Sequence, residues 1–359
     1  MLERRRSART LAVAIVPGLM MALFVLVLFT VKSKTFSDRI HVETADLVVV
    51  LALIAGAATA VAASLRSLVR ALGRLVLRRL APARLPRFAA GAQSPGAFVS
   101  AAVTLTLIVA ALWARLVEPR WLRVEHLTLP MAQVHQPIRL VLISDLHSDA
   151  RFDLDAEVAA TVNDLHADIV LYAGDTLNAS SRLNSARQSL TAMRATTGKF
   201  AVRGNWDAWF WSELDLFGGT GFEEITSGWR TITVKGTSIH LGGHEWVDAW
   251  APRRVVGQPP AAEGITILLY HAHDYLEAAA AAHVDLYLCG DTHAGQIRLP
   301  FYGALFAVGR FGRKYDYGLF EIGKTHGYVS AGLGVERGFP YRFMARPAIT
   351  VIELVPTVP

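Results

Sequence analysis

The sequence predicts an α/β layered domain preceded by an all-α membrane region of about three transmembrane helices. Three observations predict it. Long charge-free apolar runs are confined to the first 119 residues, short apolar runs alternate with helical patterns from Arg139 onward, and the charge balance reverses between the two portions. With 359 residues, a prior of about 150 per domain suggests roughly two domains. Mean hydropathy is +0.33, 52% of residues are hydrophobic and 18% are charged, against about 25% charged in an ordinary soluble domain. These values exclude a disordered chain and argue against an entirely soluble one. The single cysteine, Cys289, excludes an intrachain disulfide, a Cys-based zinc module and an iron–sulfur site. Any metal must therefore be held by His, Asp, Glu or Asn.

The membrane region is expected over residues 1–119. Leu11 to Val31 is 21 residues without a charge, Leu47 to Leu65 is 19, and Ala89 to Ala114 is 26, each long enough to cross about 30 Å of hydrocarbon. Spans are placed at about 11–31, 47–65 and 95–114. Pro17 and Gly56 are tolerable where neighbouring helices satisfy the freed backbone groups. A signal peptide after Arg4, Arg5 and Arg6 is the rival reading of the first run, and two further runs weigh against it. Residues 1–119 hold 15 Lys and Arg against 5 Asp and Glu, which leaves 21 against 25 for the remainder. Arginines crowd the N-terminus and the segment from Arg66 to Arg87, whereas Lys32, Lys34 and Arg39 alone lie between the first two runs. The positive-inside rule then puts everything after Glu118 on the extracytoplasmic face of a multi-pass integral membrane protein. Arg66, Arg70, Arg74 and Arg78 share one helix face, suited to anionic lipid rather than nucleic acid, and no nucleic-acid partner is expected.

In the domain expected over 120–359, five apolar runs end alike. Arg139–Ser144 reaches Asp145 and His147, Asp168–Ala173 reaches Gly174 and Asp175, and Lys199–Arg203 reaches Gly204 and Asn205. Gly264–Tyr270 reaches His271, and Val284–Cys289 reaches Gly290, Asp291 and His293. Groups just past the carboxyl ends of adjacent strands converge on one crevice. Asp145 and His147, two apart, point to one side if the backbone is extended, as do Asp291 and His293. Glycines before Asp175, Asn205 and Asp291 suit sharp strand exits and close backbone approach. One such terminus could be a mere turn cap. Five in series, all oxygen or imidazole, point to a metal site.

The blocks Asp145-Leu-His147, Gly174-Asp175, Gly204-Asn205-Trp206-Asp207, His271 and Gly290-Asp291-Thr292-His293 resemble the calcineurin-like metallophosphoesterase family, over about residues 138–355. Ala294-Gly295-Gln296 and Val329-Ser-Ala-Gly-Leu-Gly334 are similar to its membrane-associated branch. The resemblance implies a metallophosphoesterase-like β-sandwich flanked by helices and two divalent metal ions (Mn, Fe or Zn). One would be held by Asp145, His147, Asp175 and His293, the other by Asp175, Asn205, His271 and Asp291, with Asp175 bridging. Two cations about 3.5–4 Å apart can share a hydroxide and align it against phosphorus. The residues assigned to catalysis are Asp175, Asn205, Asp207 and His273, and those assigned to substrate binding are Trp206 and Arg203.

Two positions depart from the pattern. The family has His where this chain has Asp291, an oxygen donor that makes the site harder and favours Mn²⁺ or Fe²⁺. It also has His where this chain has Trp206, which cannot donate a proton to a leaving group. His273 or a bound water is the alternative acid. His244-Glu245 begins like a zinc-protease motif, but Asp248 replaces the second His and Gly242-Gly243 argue for a loop. Trp206, Trp209, Phe210 and Trp211 read equally as a loop's own core or as an apolar wall for a lipid or for docking to the bilayer. Arg298, Arg310 and Arg313 read as solvated or ion-paired side chains before phosphate ligands. The functional expectation is a membrane-anchored phosphoesterase acting on a phosphodiester or pyrophosphate, lipid-linked substrates among them. Its rival is a catalytically weak or inactive membrane protein that binds a phosphorylated ligand or partner.

Overall fold

The computed structural model describes residues 62, 95–248 and 250–357. The first two expected spans lie outside the described residues. The third falls on the helix Pro95–Leu112, whose 18 residues carry no charge. They rise about 27 Å, short of about 30 Å of hydrocarbon. Among the described residues no helix is long and apolar enough to cross a membrane. Compact units divide between Trp113 and Ala114.

The unit from Ala114 onward is built on two six-stranded sheets. The first contains β1 (Arg123–Met131), β2 (Ile138–Ile143), β3 (Ile169–Tyr172), β4 (Gly198–Ala201), β5 (Phe222–Glu224) and β14 (Ala348–Pro356), in the order β1-β14-β2-β3-β4-β5. The second contains β6 (Trp229–Val234), β7 (Thr237–Gly243), β8 (Ile265–Leu269), β9 (Leu286–Cys289), β12 (Gly318–Ile322) and β13 (Thr325–Val329), in the order β12-β13-β9-β8-β7-β6. A two-stranded hairpin, β10 (Arg298–Leu299) with β11 (Gly303–Ala304), stands apart from both.

The strands read as continuous apolar runs because both of their faces are buried. Leu140 and Leu142 of β2 face inward with Ile169 and Leu171 of β3, Ile267 and Leu269 of β8 and Leu286 and Leu288 of β9, forming the core between the sheets. The alternate residues Val141, Ile143, Val170 and Tyr172 pack under the helices Asp155–Asp164 and Leu183–Ala192. On the opposite side Leu268, Tyr270, Tyr287 and Cys289 pack under the helix Leu276–Ala281. A one-residue slip in any central strand would exchange these two cores. The result is the layered sandwich that the sequence predicts, helices outside and two sheets inside.

Direction in the sheets places the site. β2, β3, β4 and β5 run parallel, as do β7, β8, β9 and β13. The carboxyl ends of β2, β3 and β4 thus open toward those of β8 and β9, and His271 Nδ1 reaches the carbonyl of Ala173 across the sandwich at 2.6 Å.

Candidate metal centre

The chain leaves its strands by turning into the left-handed region, not by running on extended. Asp145 (φ 53), His147 (φ 39), Asp175 (φ 61), Asp291 (φ 69) and His293 (φ 51) all have positive φ. This corrects the expectation of extended backbone at Asp145–His147 and Asp291–His293. Each such residue costs about 1–2 kcal/mol, a penalty that collects where structure is held for function. Backbone bonds between neighbouring exits hold it here: Asp145 N–H donates to Gly174 O (2.8 Å), His147 N–H to Asp175 O (2.9 Å) and Gly334 N–H to Asp145 O. The glycines serve close approach as expected. A Cβ on Gly174 would strike the backbone of Gly204, one on Gly204 the Asp175 carboxylate, and one on Gly290 the side chains of Ser144 and Asp145.

Six of the seven expected ligands, Asp145, His147, Asp175, His271, Asp291 and His293, are buried, and Asn205 is half-buried. Two groups bring ligand atoms within 4.8 Å of one another: Asp145 with His147 and His293, and Asp145 with Asp175 and His271. Asp145 is common to both, whereas the sequence reading gives the shared role to Asp175. Asp175 Oδ2 nevertheless lies 3.4 Å from Nε2 of both His147 and His271, one histidine from each group. Asp291 Oδ1 is 3.3 Å from His271 Nε2 and accepts from Asn205 Nδ2 at 3.5 Å. The structure therefore brings Asn205, His271 and Asp291 together as well.

The donor set fits a cation on its own chemistry. Buried Nε2 atoms of His147 and His271 make no hydrogen bond. Their Nδ1 atoms are committed to oxygen acceptors, Asn178 Oδ1 at 3.0 Å and Ala173 O at 2.6 Å. Asn178 is itself oriented because its Nδ2 donates to Val335 O. With Nδ1 carrying a proton, each Nε2 presents a lone pair toward Asp175, the arrangement that metal-binding histidines use. His293 differs. Its Nδ1 faces the donor-only guanidinium of Arg342 at 3.2 Å, so the neutral ring carries its proton on Nε2, 3.5 Å from Asp145 Oδ1. Nε2 would bind a cation only in the other tautomer, with the ring proton on Nδ1 and the Arg342 guanidinium shifted from it. Arg342 is fully buried, with further bonds to the carbonyls of Ala331, Gly334 and Ala345.

Charge follows this layout. Burial raises Asp175, but His271 and His147 outweigh it and hold the carboxyl well below the ordinary range. Burial raises Asp145 to about 6, with the charge of Asp175 adding to it. Burial lowers both His147 and His271, yet Asp175 prevails and both end above the usual imidazole value. His293 is driven well below it by burial, with His147 and Arg342 adding repulsion.

The remaining expected site residues divide. Trp206 is at the site: its backbone N–H donates to Asp175 Oδ1 (2.9 Å) and its ring meets His147 edge-on at 5.2 Å. Asp207 lies beneath. Its carboxylate accepts from the backbone N–H groups of Asp175 (2.8 Å), Thr176 (2.8 Å) and Gly204 (3.1 Å) and is fully buried, so it positions the loop that carries Asp175. Arg203 is turned away, its guanidinium bound to Glu224 and to the carbonyls of Trp211 and Leu214, which corrects its assignment to substrate. His273 is fully buried, and neither of its ring nitrogens makes a hydrogen bond. It packs beside Phe311 and Tyr315, with Gly309 leaving room for its ring, and burial lowers its pKa.

Trp246, which carries no local sequence signal, joins the aromatic stretch Trp206–Phe210 at the site. Trp246 meets His271 edge-on at 5.9 Å and stacks on Tyr270, while Trp206 runs through Phe210 and Trp209 to the same Trp246. An aromatic arc thus joins His147 to His271. The Trp209 and Trp246 indoles both donate to Asp248, which clamps the arc. His244–Asp248 forms no helix, in line with the loop reading. Trp211 donates to Leu177 O and packs against the core, its ring 6.3 Å from Phe210 of the arc.

Residues 138–299 match the model of the calcineurin-like phosphoesterase superfamily domain. The chain is 29% identical over 266 residues to the uncharacterized metallophosphoesterase YkuE of Bacillus subtilis, covering 68% of this chain and 90% of that protein. It is 30% identical over 251 residues to phosphodiesterase YaeI of Escherichia coli, covering 66% and 90% respectively. It is 30% identical over 246 residues to a transmembrane protein with metallophosphoesterase domain of Danio rerio, covering 60% of this chain and 53% of that protein.

Proposed function

The chain belongs to the calcineurin-like phosphoesterase superfamily and is a phosphoester hydrolase, and on that premise we propose that it is a membrane-anchored enzyme that cleaves a phosphodiester or pyrophosphate, lipid-linked substrates included, with two divalent cations. The observation that carries the metal reading is the pair of buried, unbonded Nε2 atoms converging on Asp175. Asp145, His147, Asp175 and His293 would hold one ion, and Asp175, Asn205, His271 and Asp291 the other. Such ions, when bound, supply Lewis acidity that activates water and steadies charge on phosphoryl oxygens.

The chain's own groups shape what reacts. Asp207 holds the Asp175 backbone N–H and the Trp206 N–H holds the Asp175 carboxylate, while Asn178 and Ala173 O fix the imidazoles. Trp206 gives the leaving group no proton, which suits substrates that depart as weakly basic anions, such as a phosphate leaving from a pyrophosphate. The aromatic arc supports an apolar substituent near phosphorus, as a lipid would provide. Membrane anchoring is supported by the charge-free runs at residues 11–31, 47–65 and 95–114 and by the name of the Danio rerio relative. The positive-inside argument puts the hydrolase domain on the extracytoplasmic face.

The test uses the full chain in detergent, stripped with a chelator and reloaded with Mn²⁺ or Zn²⁺. It is offered a chromogenic phosphodiester, a phosphomonoester and a vesicle-embedded lipid pyrophosphate. Metal-dependent turnover of the diester or the pyrophosphate is expected. Turnover confined to soluble monoesters and indifferent to vesicles would overturn the substrate assignment.

A further inference from the structure

We propose that the β10–β11 hairpin and the segment Arg342–Arg346 beside it form a second attachment of the hydrolase domain to the bilayer, an apolar tip with a cationic rim that settles on anionic lipid headgroups. The proposal rests on the membrane-anchored reading above and goes beyond it, because the attachment belongs to the domain and not to the spans.

The hairpin tip is Pro300-Phe301-Tyr302, and Phe301 is exposed to 112% of its reference area. Met344, on the adjoining segment, is 51% exposed. Both hold left-handed backbone, φ 63 and φ 56, a conformation that glycine adopts freely and a large apolar residue does not. Folding alone gains nothing from projecting these two side chains into water. They line one groove of about 490 Å³ together with Tyr302, Arg313 and the Arg298–Asp316 ion pair.

Hydrogen bonds tie this groove to the start of the domain. Arg298 N–H donates to Phe343 O (2.9 Å), Arg342 N–H to Ala114 O (2.9 Å) and Ala345 N–H to the Glu118 carboxylate (2.6 Å). That stretch exposes Leu116, Val117 and Trp121 in turn. It begins where the chain arrives from the charge-free helix Pro95–Leu112. The exposed apolar groups of the tip therefore share a surface with the first residues after the third expected span.

Cations surround them. Arg346 lies 3.9 Å over the Trp121 ring and donates to the carbonyls of Trp121 and Leu122. Arg120 donates to the carbonyls of Leu116 and Arg151, and Arg313 stacks 4.1 Å over Tyr302. Carbonyl partners carry no net charge, so the guanidinium groups of Arg346 and Arg120 keep theirs for a surface. An aromatic side chain at headgroup depth with arginines beside it is the pattern of interfacial binding, and its charge complement is anionic lipid.

The experiment places an environment-sensitive thiol fluorophore on Phe301→Cys in the full chain, reconstituted into vesicles. The native Cys289 is fully buried and stays unlabelled. Lys324→Cys, on the turn between β12 and β13, is the control. In vesicles containing phosphatidylglycerol the probe at 301 should shift to shorter wavelength and be quenched by nitroxide lipids about threefold more than at 324, as for a residue at headgroup depth. Phosphatidylcholine alone should weaken this, and Arg346→Gln should lower the docking equilibrium about fivefold, the worth of one interfacial arginine. A probe at 301 as wet as at 324, in protein that floats with the vesicles, overturns the inference and leaves the anchored reading standing. Failure to float removes both. Shielding that follows protein density and ignores nitroxide lipid would assign the surface to a second copy of the chain and also overturn it.

Discussion

Asp175 Oδ2 stands 3.4 Å from Nε2 of His147 and 3.4 Å from Nε2 of His271, two imidazoles delivered by different sheets. One carboxylate thereby joins the two halves of the sandwich. Asp175→Asn keeps an oxygen for the Trp206 N–H but removes the negative charge. It should lower turnover by about 10²–10³, the scale on which a preorganised electrostatic contribution is lost. Metal content by elemental analysis should fall in parallel. A variant that retains both ions and full turnover would refute the bridging role.

Protons and metals compete for the same nitrogens. In metal-free protein burial lowers His147 and His271, but Asp175 raises both above the ordinary imidazole value. Their proton-linked stability is complete below the unfolded value of about 6.5 and is lost as pH rises through the folded values. Asp175, held low, contributes stability above about 4 that is lost as pH falls. Metal-free protein should therefore melt at progressively lower temperature as pH rises above neutrality. The increase in Tm produced by Mn²⁺ should grow over the same range, since binding must displace protons. Thermal melts with and without Mn²⁺, and calorimetry in buffers of different ionisation enthalpy, check this. Proton uptake on binding near neutral pH would contradict it.

Trp206 occupies the position where a proton donor is expected, and its ring edge touches His147. Trp206→His should raise turnover of alkyl phosphodiesters, whose leaving groups need a proton, by about 10²-fold. Nitrophenyl esters, which leave as weakly basic anions, should change little. A comparison of the two ester series reads the difference directly. Equal gains in both would mean that the tryptophan obstructs the site and that acid catalysis is not what its position withholds.

What the sequence made legible was the set of strand ends, because strands buried on both faces leave unbroken apolar runs and a ligand-type residue follows each run within a few positions. Asp145, Asp175, Asn205, His271 and His293 could be read this way without knowing the sheet order. Backbone conformation could not. Nothing local in Asp145-Leu-His147 announces two left-handed residues, which depend on Gly174, Asp175 and Gly334 lying alongside. Burial also reassigned neighbours of the motif. Arg203 finds Glu224, Asp207 finds three amides, and His273 packs beside Phe311 and Tyr315, all partners set by tertiary packing. Asn178, Trp246 and Arg342 reach the site from distant loops whose composition gives no hint of it. Gly242-Gly243, read as arguing against a helix at His244–Asp248, end β7, where Cβ atoms would strike Trp229 and Ile225.

Asp291 decides how hard the second ligand group is. Its Oδ1 is 3.3 Å from His271 Nε2 and accepts from Asn205 Nδ2, so the group presents oxygens where an imidazole is the expected residue. Carboxylate oxygen favours harder cations and imidazole favours zinc. Asp291→His should accordingly shift the ratio of Zn²⁺ to Mn²⁺ affinity toward zinc by about tenfold or more. Competition between the two ions, read by the electron paramagnetic resonance signal of free Mn²⁺, measures that ratio without any substrate. The Asp291 N–H to Asp145 bonds come from the backbone and survive the substitution, so a change in fold is not expected to imitate the effect. An unchanged ratio would remove Asp291 from the ligand set and leave Asn205 and His271 to hold the second ion with Asp175.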